Sequence, residues 1–292
     1  MKKILITGSN GFIGKNLSEQ LAKEYNIYAP KREELNLLDQ NSVEKYLTIN
    51  KFDVVIHSAI QNTLGEAKVF ESHALDRNLR MFFNLERCKE EYGKMYYFGS
   101  GGEYDMENYI PSIPEDFFGT FIPNDAYGFS KYIMSNMVNN SSNIYDLRLF
   151  GVFGKYENWE HRFISNSICK VINNMPIKIR QNVNFDYLYI DDLCEIMKWF
   201  IDNIPNKKHY NVCTGTKVDL ITISKKIIKY SQKDLNITVE KSGLNREYTG
   251  NNSRLIGEIG GYEFQSIDES IEDLYKYYLS VKEKIDYKKL VD

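Results

Sequence analysis

The chain has 292 residues, of which 42% are hydrophobic and 26% are charged, a composition that excludes disordered, collagenous and coiled-coil proteins. Lys and Arg total 37 against 40 Asp and Glu, so the formal charge of −3 gives no reason to expect nucleic acid or a membrane surface as a partner. The four cysteines and four histidines lack paired metal-ligand spacing, and no apolar run approaches the roughly 18 residues of a membrane span, so we expect neither a metal site nor a membrane segment.

Strands and helices alternate along the first half of the chain. The first strand meets a glycine-rich turn too early for a signal-peptide core, so we expect a cytoplasmic protein with small-molecule partners. Hydrophobic periodicity predicts strands at residues 2–7, 26–29, 54–57, 95–98 and 145–150, and helices at residues 12–23, 42–49, 75–92 and 126–139. Such alternation predicts an α/β fold with a doubly wound parallel sheet.

The second half has a less regular pattern. Strands are predicted at residues 187–190 and 210–212, and helices at residues 163–173, 191–204, 222–231 and 267–281. We expect residues 1–150 to form a nucleotide-binding domain, to which residues 183–215 return. Residues 151–292 are expected to form mainly a smaller C-terminal domain that binds the substrate.

A glycine-rich turn follows the first strand and opens the first helix. Gly8, Gly11 and Gly14 are spaced by three residues, which permits a tight turn, close approach of the backbone to a pyrophosphate, and close packing of helix on strand. The alternative is an ordinary strand-to-helix turn. The position of the three glycines directly after a strand and at the start of a helix favours a dinucleotide site. The predicted cofactor-binding residues here are Gly8, Ser9, Asn10, Gly11, Phe12, Ile13 and Gly14.

The end of the second strand indicates which dinucleotide binds. An NAD site usually has an acidic residue about 20 positions after the turn, to bind the ribose 2′-hydroxyl. Lys31 and Arg32 come first at this place, and their positive charges suit the 2′-phosphate of NADPH, so we favour NADPH over NADH. The alternative is that both are solvated loop charges and that Glu33 or Glu34 binds the ribose.

A tyrosine, a lysine and a serine form the predicted catalytic group. Tyr127 and Lys131 lie four residues apart at the start of a helix, and an ammonium there stabilises a phenolate that exchanges a proton with a carbonyl or hydroxyl oxygen. Ser100 follows a buried strand, at the sheet edge where ligands bind, and supplies a hydroxyl for the reacting oxygen. The alternatives are that Tyr127 and Lys131 form an ordinary surface pair on the helix, and that Ser100 is an ordinary hydroxyl in a glycine-rich loop.

Together these motifs resemble the extended short-chain dehydrogenase/reductase family, in particular its nucleotide-sugar epimerases, dehydratases and reductases. The motifs are the glycine turn, His57-Ser58-Ala59 after a middle strand, Asn78 in the next helix, Ser100, and Tyr127-x-x-x-Lys131. The resemblance implies a Rossmann domain, a C-terminal sugar-nucleotide domain, and a homodimer built on the helices that contain Leu75 and Ala126. It also implies that Ser58, Ala59, Asn78, Tyr127 and Lys131 contact the cofactor.

Residues 32–39 are similar to a stretch in the GDP-fucose synthase and dTDP-4-dehydrorhamnose reductase branch, whose members reduce 4-keto sugars with NADPH. By this resemblance Leu38 and Asp39 would lie near the adenine, although an aspartate before a helix is also a common cap. Gly101 and Gly102, beside the serine, are candidates for contact with the substrate. GDP-fucose synthase has an acid/base cysteine two residues after the serine, where this chain has Gly102, so carbon epimerisation is not expected.

Basic residues in the second half are candidates for the substrate. His161 would be a second acid/base or a contact to a substrate hydroxyl or phosphate, and Arg162 and Arg254 would bind the diphosphate. Lys170 and Arg180 are weaker candidates for the same role.

The resulting hypothesis is NADPH-dependent reduction of the C4 keto group of a nucleotide sugar, with GDP as the expected nucleotide. The product would be a 6-deoxyhexose or a heptose for a bacterial surface polysaccharide. The first alternative is an NAD-dependent nucleotide-sugar 4-epimerase, which needs the same three catalytic residues. Dehydration ranks below it, because no acidic pair stands beside Ser100. A non-catalytic NADP-binding sensor is the most remote alternative.

Overall fold

The computed structural model describes residues 1–61 and 71–290 and has a six-stranded parallel sheet at its centre. Its strands are β1 (Lys3–Thr7), β2 (Asn26–Tyr28), β3 (Phe52–His57), β4 (Tyr92–Ser100), β5 (Ile144–Leu149) and β9 (His209–Val212). Their order is β2-β1-β3-β4-β5-β9, so the winding of the chain reverses between β1 and β3. In open α/β sheets ligands bind at the carboxyl ends of the strands, beside such a reversal.

Alternating side chains of β1 meet helices on both faces of the sheet. Ile4 and Ile6 share a buried cluster with residues of α1 (Phe12–Leu21) and α6 (Ile190–Asp202). Leu5 lies in the cluster on the other face, to which three more helices contribute: α2 (Gln40–Asn50), α3 (Glu71–Glu86) and α4 (Ala126–Val138). Strands covered on both faces are almost wholly apolar, as β1 is. This arrangement confirms the predicted doubly wound Rossmann fold.

The C-terminal part contains two small sheets and four helices among the described residues. One sheet consists of β6 (Gly151–Phe153), β8 (Asn184–Tyr189) and β10 (Lys217–Asp219), and the other of β7 (Ile177–Asn182) and β11 (Ile237–Leu244). The helices are α5 (Phe163–Ile172), α7 (Leu220–Ser231), α8 (Ser253–Ile259) and α9 (Ile267–Ser280). Their buried residues share one cluster with α1 and α6, so the two parts have a continuous core. None of the helices within the described ranges is long and apolar enough to cross a membrane.

The chain crosses between the two parts more than once. After β6 and α5, the segment α6–β9 returns to the six-stranded sheet, where Tyr210 of β9 pairs with Leu147 of β5. β8 comes directly before α6 but pairs with β6 and β10 in the small sheet. The return therefore begins at Ile190 rather than at residue 183, because β8 belongs to the C-terminal part.

Several predicted boundaries are wrong for identifiable reasons. The second helix begins at Gln40, because the Asp39 side chain caps it by accepting a hydrogen bond from the Asn41 N–H at 3.0 Å. The long helix expected to end at residue 92 ends at Glu86, and Tyr92 already begins β4. β6 and β10 have three residues each and are too short for a periodic signal.

Candidate active site

The glycine-rich turn between β1 and α1 lies against the loop that follows β3. Gly8 has φ +72°, a left-handed conformation that glycine adopts without steric cost. A Cβ on Gly8 would lie 2.7 Å from the Ala59 Cα, and a Cβ on Gly14 would collide with the carbonyl oxygen of Gly8. The close packing of turn, helix and neighbouring strand therefore requires glycine at both positions.

A cleft of about 330 Å³ opens at this turn, at the carboxyl ends of β1 and β3. Its wall includes two arginines, Arg32 from the loop after β2 and Arg77 from α3. Neither Glu33 nor Glu34 lines the cleft, and Glu34 instead accepts a hydrogen bond from the Lys31 N–H at 2.8 Å. The cleft wall thus includes two arginines and neither Glu33 nor Glu34, which the alternative interpretation placed there.

Most of the predicted cofactor residues lie at this cleft. Its lining includes Gly8, Ser9, Asn10, Gly11, Arg32, Leu38, Ser58 and Ala59, while Phe12, Ile13 and Gly14 begin α1 directly behind the turn. Lys31, Asp39 and Asn78 do not line it. The Asp39 carboxylate caps α2, and the Asn78 side chain accepts a hydrogen bond from the Gln61 N–H at 2.8 Å. Asn78 therefore holds the loop that forms one wall of the cleft.

Ser100 is the last residue of β4 and caps the short 3₁₀ turn Gly101–Tyr104. Its hydroxyl accepts a hydrogen bond from the Gly102 N–H at 3.1 Å, while the Glu103 carboxylate accepts one from the Ser100 N–H at 3.0 Å. These two reciprocal bonds form a capping box, which fixes both the backbone and the side chain of the serine.

Tyr127 and Lys131 lie on the first turns of α4, which approaches the 3₁₀ turn closely. A Cβ on Gly128 would lie 2.8 Å from the Gly102 carbonyl oxygen, so glycine permits this approach. The Tyr127 ring and the Ser100 hydroxyl border the same small space, each 3.5 Å from where a Cβ on Gly102 would lie. Lys131 Nζ donates to the Phe98 carbonyl oxygen at 2.6 Å and lies 5.9 Å from the centre of the Tyr127 ring. The fold therefore brings the three predicted catalytic side chains together.

Burial determines the protonation of this group. It raises the pKa of Tyr127 above its ordinary value, and the nearby Ser100 hydroxyl opposes this increase. Burial lowers the pKa of Lys131 to about 8, although the carboxylates of Glu103 and Asp146 favour its charged form. At neutral pH the tyrosine is therefore a protonated donor, and the lysine carries its positive charge.

A buried ionic network lies directly beneath the serine. The Arg148 guanidinium, 1% exposed, donates to Glu103 at 2.9 Å and to Asp146 at 3.0 Å. His209 also contacts the Asp146 carboxylate, at 3.2 Å, and Ser135 donates to it at 2.7 Å. Because Glu103 also holds the Ser100 backbone, Arg148 is connected to Ser100 through a single carboxylate.

Gly102 and Arg162, two of the predicted substrate residues, lie at or near this centre. A Cβ on Gly102 would lie 3.5 Å from both the Ser100 hydroxyl and the Tyr127 ring, so Gly102 faces the space between them. Arg162, the residue before α5, is close enough for its charge to favour the Tyr127 phenolate. His161 is exposed in the turn that precedes Arg162.

Arg254, by contrast, lies near the amino end of β9, whereas Ser100 lies at the carboxyl end of β4. Its guanidinium donates to Asp116 at 2.6 Å and to the carbonyl oxygen of His209, the first residue of β9, at 3.3 Å. Ser100 lies level with Val212, the last residue of β9, since both strands pair with β5 at Leu149. The structure therefore does not bring Arg254 to the predicted catalytic centre, and its binding of the substrate diphosphate stays a prediction.

Three residues of this region, Arg77, Glu103 and Tyr248, were not among the predicted site residues. For Arg77 the only indication in the sequence is that its neighbour Asn78 belongs to the family motifs. Glu103 could have been found, because Ser100 and Glu103 have the serine-x-x-glutamate spacing of a capping box. Tyr248 approaches Ser100 from the segment after β11, and no local pattern indicates such a long-range approach.

Known proteins match both the sequence and the fold. The model of the NAD dependent epimerase/dehydratase family matches residues 4–213. A GDP-6-deoxy-D-talose 4-dehydrogenase from Aggregatibacter actinomycetemcomitans is 25% identical, over 94% of this chain and 97% of its own length. A GDP-L-colitose synthase from Yersinia pseudotuberculosis is 23% identical, over 96% of this chain and 99% of its own.

Two solved structures show the same fold. RMD from Pseudomonas aeruginosa, complexed with NADPH, has a TM-score of 0.82 at 21% identity and covers 96% of this chain and 98% of its own. The GDP-mannoheptose C4 reductase MlghC from Campylobacter jejuni, with NADP bound, has a TM-score of 0.80 at 20% identity, over 95% and 98%. With the glycine turn and the serine, tyrosine and lysine assembled as described, the chain belongs to the NAD dependent epimerase/dehydratase family, within the extended short-chain dehydrogenases/reductases.

Proposed function

We propose that the protein reduces the C4 keto group of a GDP-linked 4-keto-6-deoxyhexose or heptose with NADPH, leaving the configuration at C3 and C5 unchanged. The product would serve bacterial surface-polysaccharide synthesis. The observation that carries this proposal is the pairing of a buried Ser100, Tyr127 and Lys131 centre with a dinucleotide cleft that contains Arg32 and excludes Glu33 and Glu34.

The residues of the cleft fit a phosphorylated dinucleotide. The turn at Gly8 and Gly11 exposes backbone at the start of α1, where a helix N-terminus favours a pyrophosphate. Arg32 would bind a ribose 2′-phosphate, since a guanidinium matches phosphate geometry. Ser58 and Ala59 would lie along the dinucleotide. Bound NADPH would supply the hydride that reduces C4.

Three side chains would handle the proton and the developing charge. Tyr127, protonated at neutral pH, would donate its proton to the C4 oxygen as that oxygen becomes an alkoxide. Ser100 would donate a hydrogen bond to the same oxygen and stabilise its charge. The Lys131 ammonium would stabilise the resulting phenolate and hold the nicotinamide ribose, and solvent would then reprotonate Tyr127.

The proposed sugar nucleotide is inferred from the names of relatives, and the lack of epimerisation is inferred from the residue at position 102. The two curated relatives are named for a GDP-6-deoxyhexose dehydrogenase and a GDP-sugar synthase, and a structural neighbour is named a GDP-mannoheptose C4 reductase. Gly102 offers no acid or base beside Ser100, so the centre supports proton transfer at O4 without epimerisation of the neighbouring carbons. Arg162, near Tyr127, would bind the diphosphate.

Arg32→Ala tests the cofactor assignment. We expect the KM for NADPH to increase about 10- to 100-fold, since hydrogen bonds to charged groups contribute roughly 1.5–3 kcal/mol. The KM for NADH should stay within about twofold. Lys31→Ala is the matched control, because Lys31 does not line the cleft and its loss should affect neither cofactor. An equal increase for both cofactors would contradict a 2′-phosphate contact.

The pH dependence of kcat/KM tests the role of Lys131. The lysine carries its charge below its pKa of about 8, so kcat/KM should fall as the pH rises through that value. The measurement is the rate of NADPH oxidation at limiting sugar nucleotide, from about pH 7 to about pH 9. A flat profile over this range would mean that the lysine charge is not required.

The bound cofactor separates the proposed reductase from a 4-epimerase. An epimerase of this family would retain NAD⁺ through a closed catalytic cycle, whereas a reductase must release NADP⁺ after each turnover. Purified protein is denatured and the released nucleotide is identified by chromatography. Stoichiometric NAD⁺ would favour the epimerase, and its absence together with turnover of added NADPH would favour the reductase.

A further inference from the structure

Two buried carboxyl groups, those of Glu103 and Asp146, meet at Gly99, the residue before Ser100. A Cβ on Gly99 would lie 2.1 Å from the Asp146 Oδ1 and 2.3 Å from the Glu103 Oε1, so these two oxygens occupy the place of a side chain. The distance between them cannot exceed the sum of those two distances. Both residues are 0% exposed, so bulk solvent does not screen their charges.

Arg148 holds the other oxygen of each carboxyl group. Its Nε donates to the Glu103 Oε2 at 2.9 Å and to the Asp146 Oδ2 at 3.0 Å. The Ser135 hydroxyl also donates to the Asp146 Oδ2, at 2.7 Å. One guanidinium therefore binds both groups on one side, which leaves Oε1 and Oδ1 together over Gly99.

The two oxygens over Gly99 have too few donors for a pair of carboxylates. The Asp146 Oδ1 is buried and has no hydrogen-bond partner within the described part of the chain, and the Glu103 Oε1 accepts from the Ser100 N–H at 3.0 Å. A buried acceptor without a donor is destabilising, and two ionised carboxylates this close repel each other. A single proton between the oxygens removes both effects, because one oxygen becomes a donor and the other its acceptor.

The surrounding charges favour one proton on the pair. Burial and the charge of Asp146 raise the pKa of Glu103 well above its ordinary range, whereas Arg148 lowers the pKa of Asp146 despite its burial. The pair then carries one negative charge at neutral pH, which the Arg148 guanidinium balances. The other titratable groups that face the pair are Lys131, His209, Tyr97, Tyr104, Tyr127 and Tyr248.

We propose that Glu103 and Asp146 share one proton between Oε1 and Oδ1, and that this shared proton positions Ser100. With the proton in place, the Glu103 Oε1 stays beside the Ser100 N–H and completes the capping box. Without it, two negative charges would meet over Gly99 and push the Glu103 side chain away from the serine. The pair touches no substrate, and the inference rests on the proposed function only for the catalytic role of Ser100.

Asp146→Asn is the direct test, because an asparagine amide supplies the donor that the shared proton would supply. Its N–H would donate to the Glu103 Oε1, while its carbonyl oxygen accepts from Arg148 and Ser135. We expect the ratio of folded to unfolded protein at pH 7, measured by denaturant unfolding, to fall by less than about tenfold. A pair ionised at both groups would lose more than about 100-fold, and any loss beyond about tenfold overturns the inference.

Asp146→Leu is the matched control. Leucine has nearly the same size but offers neither a donor to Glu103 nor an acceptor to Arg148 and Ser135. The ratio of folded to unfolded protein should therefore fall by more than about 100-fold. If Asp146→Leu were as stable as Asp146→Asn, the polar groups at this position would not hold the pair, which would also overturn the inference.

The pH dependence of unfolding detects the proton itself. In the unfolded chain the separated carboxyl groups are ionised above about pH 5, so the wild type would take up one proton at the pair on folding. Because the pKa of the folded pair is raised, the stability that it contributes is present at lower pH and is lost as the pH rises toward that pKa. From about pH 6 upward, the folding ratio of the wild type should fall about tenfold per pH unit relative to Asp146→Asn. An equal pH dependence of the two proteins overturns the shared proton.

Glu103→Gln separates the positioning of Ser100 from stability alone. In either orientation of its amide, an N–H would meet a donor, the Ser100 N–H or the Arg148 Nε, so the capping box is broken at unchanged size. We expect kcat to fall about 10- to 100-fold with the KM of the sugar nucleotide within about threefold, whereas Asp146→Asn keeps kcat within about threefold. Equal values of kcat in the two variants would contradict the positioning role.

An amide-exchange measurement replaces this comparison if Glu103→Gln does not fold. The Ser100 N–H should exchange with solvent no faster in Asp146→Asn than in the wild type, and a faster rate in Asp146→Asn would overturn the inference. If the wild type reduces no 4-keto sugar nucleotide, the proposed function fails, whereas unfolding and amide exchange still decide whether the pair shares a proton and holds the serine.

Discussion

Tyr127→Phe is expected to lower kcat by about 1000-fold, within the 10²- to 10⁴-fold range of general acid catalysis. The substitution removes the phenol that would protonate the C4 oxygen and leaves the ring in place. The dinucleotide cleft lies at the glycine turn and does not include Tyr127, so the Kd for NADPH should stay within about threefold. The measurements are steady-state turnover and cofactor binding by fluorescence.

Tyr132→Phe is the control for this substitution, because it removes a phenol from the same helix at a distance from Ser100. The Tyr132 ring stacks on Phe118, with the ring centres 4.9 Å apart, and packing of this kind does not depend on the hydroxyl. Turnover of this variant should equal that of the wild type. If Tyr127→Phe retained more than about a tenth of wild-type kcat, the tyrosine would not be the acid.

Arg148→Met is expected to lower the free energy of unfolding by about 3–5 kcal/mol. The substitution leaves Glu103 and Asp146 buried without their guanidinium partner, and an uncompensated buried charge is strongly destabilising. Turnover should fall too, because Glu103 would no longer hold the Ser100 backbone in a fixed place. Denaturant unfolding of the wild type and the variant measures the difference.

Arg80→Met shows what an ordinary ion pair contributes. Arg80 and Asp76 form a surface pair one helical turn apart, with more than half of each side chain exposed (55% and 62%). Such pairs contribute about 0.3–0.5 kcal/mol, so this variant should be nearly as stable as the wild type. A loss of less than about 1 kcal/mol in Arg148→Met would contradict the account of the buried network.

The parts of the site that the sequence predicts are those encoded within a few residues. The glycine turn is one example, because strand, turn and helix N-terminus follow each other and the steric need for Gly8 is local. Tyr127 and Lys131 are another, since residues four apart share a helix face wherever the helix packs. The alternation of elements likewise predicted the doubly wound sheet.

The remaining parts depend on which distant segments meet. Arg254 was a candidate for the diphosphate, but its guanidinium pairs with Glu115 and Asp116 and donates to the His209 carbonyl oxygen of β9. Arg148 looked like a strand residue, and its carboxylate partner Glu103 comes from another strand end. β11 was missed because nearly all of its side chains are exposed and give no hydrophobic pattern. Contacts of this kind follow from tertiary packing and leave no local periodicity.

The decisive experiment is NADPH oxidation by the purified protein with freshly generated 4-keto GDP-, dTDP- and CDP-sugars, followed by NMR of the product. We expect NADPH, in preference to NADH, to be oxidised with the GDP-sugar, and only the configuration at C4 to be new. Failure to oxidise NADPH with any of these sugars, or a product inverted at C3 or C5, would contradict it.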